Sequence, residues 1–248
     1  MILKRLMIAV TASAVVSCTV SKPPPAPPRS ESRTFPQAAA EPLSPAYMPA
    51  AGTYKIDSSQ SELRVLVYKA GALASLGHNH VIQNRSVNGS IDVGSTLAAS
   101  SFSLSAAIEA FVVDDSQARA EEGEEFPGDV SDSAKLGTWN NMTGPAVLNA
   151  AQYPVINLHS IRVQDLQGTP TATVAVSVAG HESSVLVPFV LHKEAYGLSV
   201  TASFELNQSA LGMTPYSLML GALAVRDTMM VKLKVIAVLE APRLGTPR

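Results

Sequence analysis

Disulfides, aromatic rings and charge are all scarce in this chain of 248 residues, and each scarcity removes a class of protein. A single cysteine, Cys18, rules out an intramolecular disulfide framework, so the fold rests on a packed core. Charged residues make up 15% of the chain, the formal net charge is -2 and the pI is near 6.2. Nucleic-acid binding draws on a basic field that releases counterions, and that field is missing. At 46% hydrophobic residues the chain is also too apolar for intrinsic disorder. Beyond the N-terminal stretch, no run reaches the roughly 18 apolar residues of a membrane-spanning helix.

What is present begins with an export address. In MILKRLMIAVTASAVVSC, Lys4 and Arg5 precede an apolar stretch from Leu6 to Val16, too short to span a bilayer and typical of a secretory signal. The stretch ends in Val15-Val16-Ser17-Cys18, where a bacterial lipoprotein signal places the cysteine to be lipidated. Residues 1–17 are therefore expected to be removed and Cys18 to carry several acyl chains, which together anchor stably. Thr19 follows Cys18, so the expected address is the periplasmic face of the outer membrane. Residues 18–51 follow as a linker. The part from Lys22 to Ala50 holds nine of the seventeen prolines, which favour an extended polyproline II tether over a core.

From Gly52 onward the dominant period is two, the mark of strands with one buried face. Leu63, Val65 and Val67 alternate with Glu62, Arg64 and Leu66. Phe102, Leu104, Ala106, Ile108, Ala110 and Val112 share one face against Ser101, Ser103, Ser105 and Glu109. Further runs cover 155–163, 171–180, 184–192, 198–207 and 229–240, and shorter strands lie near 53–56 and 87–93. Turn signals at Asn88-Gly89, Gly168 and Gly197 separate them, predicting an all-β antiparallel sandwich or barrel across 52–241 with a tail at 242–248. Between Asp114 and Pro154 the alternation stops. That excursion is expected to hold one or two short helices across one barrel end.

The low aromatic content bears on what such a barrel contains. Large rings fill a small barrel, whereas Val, Leu, Ala and Ser leave room for an apolar ligand, at about 0.8 kcal/mol per buried CH₂. His78 and His80, in Leu76-Gly77-His78-Asn79-His80-Val81-Ile82, share a face if this stretch is a strand. They read as polar groups at a barrel mouth. The alternative is a metal site completed by His159, His181 or a carboxylate. No GxSxG or phosphate-binding glycine loop is present, and no enzyme is expected.

In its order of motifs the domain resembles the YceI-like proteins, lipocalin-like barrels that bind polyisoprenoid lipids. The resemblance rests on Gly52-Thr53-Tyr54-Lys55-Ile56-Asp57 with Ser61, the block from Leu76 to Ile82, and Tyr153-Pro154-Val155-Ile156. It continues through Gly212-Met213-Thr214-Pro215-Tyr216-Ser217, Gly221-Ala222-Leu223 and Asp227. Gln60 and Gly180-His181-Glu182-Ser183 depart from the common pattern. The resemblance implies an extended barrel of about eight strands whose tunnel takes a prenyl chain. Leu104, Ile108, Val112, Phe189 and Phe204 are the expected contacts for a polyprenyl or quinone tail, and His78, Asn79 and His80 for its head. No cofactor is expected. The competing readings are a metal-binding protein or metal-dependent enzyme using His78 and His80, and a structural envelope protein acting through its outer surface and Pro-rich arm.

Overall fold

The computed structural model describes residues 48–241. The signal segment, Cys18, the Pro-rich linker as far as residue 47 and the tail at 242–248 lie outside them. Fifteen strands form among the described residues. They are β1 (Gly52–Ile56), β2 (Glu62–Val67), β3 (Lys69–Ala70), β4 (His80–Asn84), β5 (Val87–Val93), β6 (Ser101–Ala107), β7 (Phe111–Val113), β8 (Val155–Leu166) and β9 (Thr169–Val178). Then follow β10 (His181–Pro188), β11 (Val190–Lys193), β12 (Gly197–Asn207), β13 (Ser217–Leu218), β14 (Leu223–Val225) and β15 (Thr228–Leu239).

Several neighbours in this series are halves of one long strand. β1 and β2 run end to end along β15, with Tyr54 opposite Leu239 and Leu63 opposite Leu233. β5 and β4 pair with those halves in turn, and β6 and β7 pair with β5 and β4. The meander continues through β8, β9 and β10, and then through β11, separated from β10 only by Phe189 and paired with β12. β12 lies along the whole of β15, so the ladder returns to its start as an eight-stave antiparallel barrel. One seam remains. β10 pairs β9, β11 pairs only the first turns of β12, and no ladder joins β10 to the Ala202–Asn207 half of β12.

Local chemistry explains the corners. Gln167-Gly168 and Ala179-Gly180 each take two successive positive φ angles, the two-residue turn that matches strand twist, and they join β8 to β9 and β9 to β10. Asn88-Gly89 does not turn. Both lie within β5, with Gly89 opposite Leu104, and a Cβ at Gly89 would stand 2.0 Å from the Ser103 carbonyl oxygen. The glycine there serves close strand approach.

Where the alternation stops, α1 (Ser116–Glu121) is capped by the Asp115 carboxylate accepting from the Ala118 N–H. With the Gly123–Glu125 turn it covers the outer face of β2 and β4, where Leu66, Val81, Ala118 and Phe126 form a satellite core. Beside it Arg64 bonds Glu62, Glu121 and Glu122, and Lys232 also reaches Glu122. The second helix, α2 (Asp132–Thr143), has Ser131 as its cap and lies at the barrel end bounded by β7 and the start of β8. β13, β14 and β3 form a separate small sheet at that same end. No helix among the described residues is long and apolar enough to cross a membrane.

Candidate functional site

Inward-facing residues from all eight staves enclose a cavity of about 260 Å³. Its wall is Val, Leu, Ile, Ala, Phe and Met almost throughout; only Ser100, Ser101 and Gln208 are polar. Much of the lining is Val and Ala, whose small side chains leave room that larger rings would fill. Met48, ahead of β1, closes part of the far end, so packing begins before the expected boundary at residue 52.

Of the residues expected to hold a tail, Leu104, Phe189 and Phe204 line this cavity. Ile108 is buried in the adjoining core but is not part of the lining, and Val112 is 52% exposed on the outside. The cause is a single 3₁₀ turn at Ile108–Ala110 between β6 and β7. It shifts the pleat by one position, so that Phe111 and Val113 turn inward where a continuous strand would place Ala110 and Val112. A bulge between Ser160 and Arg162 does the same in β8, exposing Ile161 and turning Val163 into the lining.

At the end covered by α2 the cavity meets a second space of about 190 Å³ with a different character. Val67, Ile82, Met142, Val147 and Gln208 line both, so the two adjoin. The second is ringed by Lys69, His78, His80, Thr138, Asn141 and Tyr216. His78 sits in the loop before β4 and His80 is its first residue, their ring centroids 6.4 Å apart. Asn79 points elsewhere: it accepts from the Lys69 N–H and donates to the Glu125 carbonyl, which ties the loop to the barrel's outer layer.

His80 is held by a buried carboxylate. Its Nδ1 is 2.6 Å from Asp114 Oδ2, while Asp114 Oδ1 accepts from the Val81 N–H and from Arg119 Nη1 at 2.7 Å. Asp114 is fully buried and occupies positive φ, a strained position that its hydrogen bonds over-determine. Arg119, almost as deeply buried, also donates to the carbonyls of Asn79, Pro127 and Gly128. Burial pushes the Asp114 carboxyl up, but the hydrogen bonds and charge of its partners outweigh this and its pKa lies below the ordinary value. An ionised Asp114 has no proton to give, so Nδ1 donates and Nε2 is left facing the polar space, 3.5 Å from Thr138 Oγ1. Nε2 is thereby placed to hydrogen-bond the head group of a ligand in this space.

The distant ligands considered for a metal do not converge. His159 on β8 and His181 at the start of β10 are exposed, and neither lines the polar space. Among the described residues no three His, Cys, Asp or Glu side chains gather as a metal site requires. Sequence reasoning missed Asp114, Arg119, Thr138 and Gln208. Asp114 lies 34 residues from His80, and Arg119 sits in a polar run that reads as a solvated helix face. Only the Asp115 cap following a strand marked that corner.

A sequence model of the YceI-like domain matches residues 54–237. No curated protein matches the sequence at a significant level. Among solved structures the chain is similar to BcnA of Burkholderia cenocepacia, at 13% identity and a TM-score of 0.56, over 74% of this chain and 99% of that one. It is also similar to a polyisoprenoid-binding domain of Saccharophagus degradans implicated in plant cell wall breakdown. There the identity is 10% and the TM-score 0.50, over 75% of this chain and 98% of that one.

Proposed function

The chain belongs to the family of YceI-like domains, and on that premise we propose that its barrel binds and carries a long amphiphilic isoprenoid lipid of the polyprenyl or quinone type. The observation that carries this reading is the pairing of an apolar cavity with a vestibule at one end whose wall adds His, Lys, Thr, Asn and Tyr side chains to its apolar groups. A prenyl tail has only methyl, methylene and vinyl groups to offer, and the lining asks for nothing else. A hydroxyl or carbonyl head would sit in the vestibule, within reach of His80 and Thr138. The similar domain from Saccharophagus degradans, described as polyisoprenoid-binding, supports the same class of ligand here.

Binding of this kind calls for no covalent chemistry, and the role is carriage. The export signal at residues 1–17, lipidation at Cys18 and the Pro-rich tether would hold the barrel at the periplasmic face of the outer membrane, within reach of membrane lipids. Solvent extraction of the purified chain followed by mass spectrometry tests the reading. The expected result is a prenyl species in stoichiometric amount. Repeated recovery of protein with no prenyl lipid, and no uptake of added long-chain prenol, would overturn it.

A further inference from the structure

Two loops at the vestibule end carry a cluster of exposed apolar side chains. One joins β3 to β4 and exposes Leu73 and Leu76; the other joins β13 to β14 and exposes Leu218, Met219 and Leu220. They touch: the Leu73 N–H donates to the Ala222 carbonyl, and Gly71 lies so close to Gly221 and Ala222 that a Cβ would clash with both carbonyls. Leu76 is 72% exposed, Met219 73%, and Leu220 projects entirely into solvent. Met219 and Leu220 both hold positive φ, a conformation with a steric cost for residues with a Cβ, and it is spent here on presenting apolar groups outward.

The charge pattern points to one occupant. From Ala70 to Gln83 and from Gln208 to Val225 there is no Asp, Glu, Lys or Arg. Charges of both signs follow below the tip: Lys69, donating to the Gly77 carbonyl, and Arg226, stacked over Tyr68 with its guanidinium 5.6 Å from the ring centroid, with the Glu122, Glu125 and Glu205 carboxylates also acting on Tyr68. An uncharged apolar tip with a Tyr and charges of both signs at its base matches the layering of a bilayer interface, with acyl chains above and headgroups and aromatics below. Gly77, Tyr216 and Leu223 to Val225, at the base of the same loops, line the vestibule.

We propose that the paired 71–77 and 217–222 loops insert into a lipid bilayer surface and set the vestibule against it, so that a prenyl lipid passes between bilayer and barrel without crossing water. The purpose of the surface rests on the lipid-carrier reading; its position does not. The test uses the full chain with Cys18→Ser and a single labelled cysteine at Leu76, Leu220 or, as a control at the opposite barrel end, Tyr196. Vesicles of phosphatidylethanolamine and phosphatidylglycerol carry nitroxide-labelled acyl chains. Even if the N-terminal segment tethers the chain, only an inserted label meets the acyl quencher. Labels at 76 and 220 should shift to the blue and be quenched while the label at 196 does neither, and Met219→Glu should lower the quenched fraction at 220 about tenfold. No quenching at 220, or equal quenching at 196, would overturn the proposal. Mass spectrometry of the same samples reads the ligand separately: insertion without any prenyl lipid sinks the carrier reading alone, and a loaded barrel with an unquenched tip sinks the docking surface alone.

Discussion

Placing a ring inside the barrel should stabilise the empty protein and cripple its binding. Ala202 lies midway along β12, opposite Leu233, and its methyl group faces the cavity. In a core packed to native density, the extra atoms of Ala202→Phe would cost about 1–3 kcal/mol. Here the phenyl ring enters free space of about 260 Å³. If it occupies roughly 100 Å³, the dependence of roughly 24 cal/mol per Å³ of void gives about 2 kcal/mol of added stability. The same ring takes the place of about one five-carbon unit of tail, worth about 4 kcal/mol of burial, so affinity for a long prenol should fall on the order of a thousandfold. Urea unfolding of delipidated protein measures the first quantity. The second can be followed through Trp139, the chain's only tryptophan, packed on α2 against the Ile82 and Phe111 cluster beside the cavity. A variant that loses more than about 1 kcal/mol of stability and binds prenol as before would refute a hollow, ligand-holding barrel.

The remaining predictions concern the groups around the vestibule and the wall. Asp114→Asn strands the buried Arg119 charge and should cost about 3–5 kcal/mol in urea unfolding, whereas Asp114→Asn with Arg119→Met should recover much of the loss. Because the folded Asp114 pKa lies below the ordinary carboxylate value, its contribution is complete above the unfolded pKa and fades as pH falls through the folded one. The stability gap between wild type and Asp114→Asn should therefore be constant above about pH 5 and shrink below it. His80→Ala should weaken binding of a hydroxyl-bearing prenol about 2- to 10-fold, from a hydrogen bond of about 0.5–1.5 kcal/mol, and leave a prenyl hydrocarbon unaffected. Gly89→Ala drives a methyl into the Ser103 carbonyl and should lower the unfolding midpoint, with hydrogen exchange faster along the β5–β6 pair.

The staves of the barrel were legible because each is a local pattern. Leu63, Val65 and Val67 alternate with polar neighbours and all three line the cavity. What alternation cannot register is a change of phase. The apolar positions after Ala106 keep their period on paper through Val112, yet three residues wound into a 3₁₀ turn reverse the faces, and the inward residues become Phe111 and Val113. The low aromatic content spoke to the hollow interior because ring volume decides whether a small barrel fills. The polar end was half legible. His78 and His80 are visible as a pair, but the carboxylate that fixes His80 arrives from the far side of three more strands. Asn79, between them in sequence, is committed to backbone partners and has nothing to offer a ligand. Nothing local marks that difference.

The missing ladder between β10 and the second half of β12 has a mechanical consequence. Parting β8 from β9 or β12 from β15 breaks inter-strand backbone hydrogen bonds along the whole ladder; widening this seam breaks none and exposes only the side chains that bridge it. It reaches the vestibule end, where Leu211 and Met213 pack beside it and Gly212 rests on the His181 ring. The girth of the barrel is thus adjustable along one line. A branched or bulky chain can be accommodated by a wall that yields there, while the long β8–β9 and β12–β15 ladders stay pinned.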